Sequence, residues 1–127
     1  MLRVLIVEDE PIIALDLSTI LEDAGYAVVG IASTMAKALK LADDHGIDLA
    51  LLDVNLAGRH DGVETAKHLC KDYGVRSLFV TGALDQRLEA SVADCNPVGF
   101  IGKPYREKHI REALAGVNDN LACVRAG

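Results

Sequence analysis

Residues 2–11 read LRVLIVEDEP, and this stretch decides the fold. The run at 2–7 is almost continuously apolar and rich in β-branched side chains, too short for a helix and typical of a strand buried on both faces. It stops at the acids Glu8, Asp9 and Glu10. Pro11 then suits the first position of a helix, where a missing N–H would have no partner anyway. Ile13, Leu17, Ile20, Leu21 and Ala24 follow at helical spacing until Gly25 offers a left-handed stop. A buried strand, an acidic turn and an amphipathic helix make one unit of a parallel α/β sheet.

The unit recurs along the chain. A strand at 27–31 leads to Ser33 or Thr34, either of which can cap a helix with Met35, Ala38, Leu39 and Ala42 on one face. A third strand, 49–52, ends at Asp53, and a polar, glycine-bearing loop reaches a helix at 61–73 with Val63, Ala66, Leu69 and Cys70 inward. A fourth, 77–80, ends at Thr81, after which Leu84, Leu88 and Val92 form a weaker helical stripe. A fifth, 98–101, ends near Lys103, and Ile110, Leu114, Val117 and Leu121 line the last helix. Right-handed crossovers over short loops then predict a doubly wound, flavodoxin-like α/β domain. It has five parallel strands in the order 2-1-3-4-5 and five helices.

Composition narrows the function. The 127 residues fit one domain, and 50% hydrophobic content supplies its core. With 13 Lys plus Arg against 19 Asp plus Glu, the net charge of −6 has the wrong sign for binding nucleic acid through its phosphates. No apolar run approaches a membrane span and no signal-peptide pattern opens the chain, so a cytoplasmic protein is expected. Cys70, Cys95 and Cys123 are odd in number, far apart in sequence and outside metal-ligand spacing, which predicts structural rather than catalytic thiols.

Ligands of such sheets bind at the carboxyl ends of the strands, near the switch point between strands 1 and 3. Those ends deliver Glu8, Asp9, Asp53, Thr81 and Lys103. Two carboxylates about 5 Å apart repel by roughly 3 kcal/mol at an effective dielectric near 20, so Lys103 alone does not offset three of them. The excess calls for a hard divalent cation, and Mg²⁺ suits oxygen ligands and phosphate. Asp53 is then a potential nucleophile toward a phosphoryl donor, with Thr81 and Lys103 placed to hold the phosphoryl oxygens.

Four motifs in this order, VLIVEDE (4–10), LLDVN (51–55), FVTGA (79–83) and GFIGKPY (99–105), resemble the receiver domains of two-component response regulators over nearly the whole chain. The resemblance implies that Asp53 is the phosphoacceptor and that Glu8, Asp9 and Asp53 hold Mg²⁺ directly or through water, with the Asn55 carbonyl completing the set. It casts Thr81 as the hydroxyl that senses the phosphoryl group, Lys103 as its cationic partner, Phe100 as a switch aromatic, and Lys103-Pro104 as a cis peptide. It implies a sensor histidine kinase or histidine phosphotransfer protein as donor, a downstream protein target, and a dimer through helix 4, strand 5 and helix 5. The chain would assist its own phosphorylation and dephosphorylation without being a turnover enzyme.

Three departures stand out. Glu8 replaces the more usual aspartate. Leu56-Ala57 stands where a Met-Pro pair is common, and the loop to Gly62 is one residue longer. Thr81-Gly82 is similar to a Phe-x-Thr-Gly subclass of mainly stand-alone receivers. The reading assigns 1–117 to the receiver and 118–127 to a short tail with no output domain. The response then passes through a phosphorylation-dependent protein contact, or the chain serves as a phosphate sink. Two other classes compete: an adaptor of the same fold that is not phosphorylated, and a Mg²⁺-dependent phosphatase, which would want an acid where Asn55 stands.

Overall fold

The computed structural model describes residues 2–54, 61–82 and 86–126, the side chains of 61, 87 and 117–126 excepted. Asn55, the rest of the longer loop to 60, and Leu84 therefore lie outside the described residues. The elements in order are β1 (Arg3–Val7), α1 (Pro11–Asp23), β2 (Ala27–Ala32), α2 (Met35–Asp44), β3 (Leu49–Asp53) and α3 (Asp61–Tyr73). Then come β4 (Arg76–Thr81), α4 (Gln86–Val92), a 3-10 turn at Ala93–Cys95, β5 (Gly99–Gly102) and α5 (Glu107–Ala126). The strands make one parallel sheet in the order β2-β1-β3-β4-β5, as the sequence predicts.

Successive side chains of a strand point to opposite faces, so each continuous apolar run feeds two cores. Leu5, Val7, Leu52 and Phe79 pack with Ala38 of α2, Leu69 of α3 and Val92 of α4. Val4, Ile6, Leu51 and Leu78 pack on the other face with Leu17 and Leu21 of α1 and Ile110 and Leu114 of α5. Burying one such Leu, Ile or Phe is worth about 1.5–3 kcal/mol. The exposed i,i+4 pairs Lys40–Asp44, Arg111–Glu107 and Lys108–Glu112 contribute only about 0.3–0.5 kcal/mol each, so the two apolar layers hold the fold.

The punctuation acts as its chemistry dictates. Gly25 takes a φ of +93°, and the N–H groups of Gly25 and Tyr26 close α1 on the carbonyls of Glu22 and Leu21, each at 3.0 Å. Of the two candidate caps for α2, Thr34 is the one that acts, its hydroxyl accepting the Lys37 N–H at 3.2 Å. Two further features shape the elements. Pairing between β1 and β2 shifts register between Val4 and Leu5, a bulge in the edge strand. Helix α5, whose apolar positions the sequence places as far as Leu121, runs on to Ala126, with no proline or glycine after Gly116 to stop it. Among the described residues, no helix is long and apolar enough to cross a membrane.

Candidate functional site

The sheet register levels the strand ends at the switch point. Val7 pairs with Leu52, so Glu8 and Asp53 emerge side by side from β1 and β3. Asp53 pairs with Val80 and Thr81 with Gly102, which brings Thr81 and Lys103 to the same edge. The backbone continues the ladder beyond the last pairs: Val54 N–H donates to the Val80 carbonyl at 3.2 Å and Lys103 N–H to the Thr81 carbonyl at 2.8 Å. Glu8, Asp9 and Asp53 each offer a carboxylate oxygen, all within 4.8 Å of one another. Asp53 is 5% exposed, and Lys103 Nζ donates to its Oδ2 at 3.2 Å.

This crowding is visible in the protonation of Glu8. Burial foremost, with the neighbouring Asp53 charge, pushes its carboxyl up from 4.5 to about 7, against the opposing pull of the Glu10 N–H and Lys103. The Glu10 N–H donates to Glu8 Oε1 at 3.1 Å, so the side chain also closes the start of α1. Between about pH 4.5 and about 7 the folded state keeps a proton that the unfolded chain has released. In that window the Glu8 contribution to stability falls as pH rises, by on the order of 3 kcal/mol in all in metal-free protein. Glu8→Gln is expected to remove this slope. Thermal melts of both proteins across the window measure the difference, and superimposable pH profiles would mean that Glu8 is ionised throughout.

A family model for the response regulator receiver domain matches residues 4–115. The chain belongs to the response regulator receiver domains. Members of this family are signalling proteins phosphorylated on an aspartate in two-component systems; they interact with kinases or phosphotransfer proteins and generally bind Mg²⁺ at an acidic pocket. This receiver is 31% identical over 114 residues to the phyllosphere-induced regulator PhyR of Methylorubrum extorquens, covering 89% of the chain and 42% of that protein. It is 35% identical over 104 residues to the transcriptional regulatory protein PdtaR of Mycobacterium tuberculosis, covering 81% of the chain and 50% of that protein. The chain thus spans about half the length of these curated relatives. Among solved structures it is similar to a CheY-like response regulator receiver domain protein from Methanospirillum hungatei. That match has a TM-score of 0.81 at 26% identity and covers 94% of this chain and 95% of the other.

Of the residues the sequence nominates, the receiver brings Glu8, Asp9, Asp53 and Lys103 together and sets Thr81, 2% exposed, on the adjoining strand end. Phe100 lies half-buried on β5, its ring stacked on Phe79 with centroids 5.3 Å apart and planes 13° from parallel. That stack ties Phe100 to the core layer under α2, α3 and α4, the same face of the sheet that carries Thr81 at the end of β4. The Lys103-Pro104 peptide is cis.

Two juxtapositions escape sequence reasoning. Tyr105 Oη donates to Asp16 Oδ2 at 3.0 Å, joining the turn after β5 to α1 across 89 residues. Cys70 and Cys95, far apart in sequence, meet where α3 packs against the 3-10 turn. Burial foremost, and then the Cys70 thiol, push the Cys95 thiol up to about 11, so it stays protonated at neutral pH. No spacing rule signals either contact, because each depends on how separate elements dock.

Proposed function

We propose that Asp53 accepts a phosphoryl group from a sensor histidine kinase or histidine phosphotransfer protein, and that Glu8, Asp9, Asp53 and the Asn55 carbonyl hold Mg²⁺ for that step. The single observation that carries this reading is the buried Asp53 carboxylate, crowded by Glu8 and Asp9 and paired with Lys103 at 3.2 Å. The donor set suits a hard divalent cation: three carboxylates converge within 4.8 Å, and the Lys103 ammonium offsets one of them. When bound, the ion neutralises the carboxylates and the oxygens of the incoming phosphoryl group.

An Asp53 carboxylate oxygen forms a bond to phosphorus as the bond to the donor's imidazole nitrogen breaks. The imidazole leaves with that electron pair and is protonated by solvent. Lys103 passes from the carboxylate to a phosphoryl oxygen, and the Thr81 hydroxyl donates to another. Thr81 moving toward the phosphoryl group frees space on its face of the sheet, and Phe100 turns inward to fill it. The surface of α4, β5 and α5 shifts its population toward a conformation that a downstream protein, or a second copy of the chain, recognises. Hydrolysis of the acyl phosphate by water at the same site resets the switch, so the chain acts on itself.

Incubation with acetyl phosphate, followed by intact-mass analysis, tests the reaction. One phosphoryl group is expected per chain with Mg²⁺ present and none after chelation. Labelling that ignores Mg²⁺, or a wild-type chain that stays unmodified, would overturn the reading.

A further inference from the structure

We propose that the Tyr105 hydroxyl and Asp16 form a clasp that positions Lys103 for the phosphoryl group, a role that rests on the Asp53 reading above. Lys103 begins the turn between β5 and α5, and its N–H, bonded to the Thr81 carbonyl at 2.8 Å, ties the backbone at that end of the turn to the sheet. The next residues, Pro104 and Arg106, are exposed. Tyr105 is the residue of this turn that reaches inward, its ring packed against the core layer shared by α1 and α5 and its hydroxyl donating to Asp16 Oδ2 at 3.0 Å. Lys103 thus sits between two anchors, the Thr81 carbonyl on one side and α1 on the other.

Burial, Asp16 and then the Glu8 charge all raise the Tyr105 hydroxyl above the ordinary phenol range, so it stays a donor throughout the neutral range. A lysine ammonium is a point charge on a flexible four-carbon stem, so where its backbone is held decides how much of its time is spent on the phosphoryl oxygen. A hydrogen bond worth about 0.5–1.5 kcal/mol converts to roughly a two- to twelvefold effect on that occupancy.

Beryllofluoride, which mimics the phosphoryl group on a carboxylate, is the probe. Tyr105→Phe keeps the ring and deletes the donor, and is expected to weaken beryllofluoride binding in saturating Mg²⁺ by about three- to tenfold. It is expected to leave Mg²⁺ affinity unchanged or raised, because Lys103 competes with the cation for Asp53. A merely structural loss would lower both affinities together. Asp16→Ala, an exposed helix position where alanine favours the helix, reproduces the effect without disturbing the core, and the double variant is no worse than either single one. Asp16→Asn, which keeps an oxygen acceptor, restores most of the affinity. Wild-type beryllofluoride affinity in Tyr105→Phe, or additive losses in the double variant, would overturn the clasp. A wild-type chain that binds no beryllofluoride at all would overturn the Asp53 reading instead.

Discussion

Asp53→Asn is expected to leave no phosphoprotein after incubation with acetyl phosphate and Mg²⁺, while the chain still folds. The amide has neither the charge nor the free lone-pair basicity to attack phosphorus, and neither neighbour is placed to replace it. Glu8 is engaged by the Glu10 N–H at 3.1 Å, and Asp9 stands in the turn after β1 rather than on the strand end that pairs with Lys103. Folding survives because the substitution removes one of three crowded charges, each close pair of which repels by roughly 3 kcal/mol, and the amide oxygen still accepts from Lys103. The metal-free melting temperature is therefore expected to equal or exceed that of wild type. The rise that Mg²⁺ produces, worth about 2.7 kcal/mol when the ion is at a hundred times its Kd, should shrink sharply. Intact-mass analysis and melts with and without Mg²⁺ read both effects. Phosphoprotein at wild-type yield would move the acceptor to another residue.

Gly62→Ala is expected to be the most destabilising single methyl in the described chain. Gly62, buried near the start of α3, donates its N–H to the Val54 carbonyl at 3.2 Å, so the helix start sits directly on the segment leaving β3. A Cβ there would come within 2.5 Å of the Val54 carbonyl oxygen and 2.6 Å of Val54 Cα, and closer still to the Asp53 carbonyl oxygen. All three are backbone atoms and none can rotate away. Either α3 lifts or the strand end carrying Asp53 shifts, at a cost of about 3 kcal/mol or more, a large share of a domain's typical 5–15 kcal/mol. A fall of about 10 °C in melting temperature is expected, together with weaker Mg²⁺ binding. Gly116→Ala is the control: a Cβ on that exposed α5 position meets nothing within 4 Å, and the change should stabilise by about 0.5–1 kcal/mol. A Gly62 variant melting like wild type would mean that α3 can back away freely.

The strand ends of this receiver are legible because they are local. A continuous apolar run followed by an acid, a hydroxyl or an amine marks where buried strand gives way to the carboxyl edge, and the strand order brings those ends together. Glu8, Asp9, Asp53 and Lys103 meet for that reason. Within the acidic run, local pattern says less. Glu8, with the longer arm, is the buried carboxylate at 2% exposure and Asp9 is only half-buried, a ranking set by how β1 feeds α1 rather than by the residue types.

What the sequence determined by itself, then, is periodic and short-range: five strand-helix units, their order, the stop at Gly25, a cap for α2 at Ser33 or Thr34, and the set of polar residues on one edge. What only the tertiary structure decided is pairwise and long-range: the Tyr105–Asp16 bond, the meeting of Cys70 and Cys95, the backbone contact that reserves position 62 for glycine, and the upward shift of Glu8. The division has a physical cause. Hydrophobic periodicity fixes which face of each element is buried, whereas the register of neighbouring strands and the docking of helices on them follow from summed burial over the whole domain, which no local window contains.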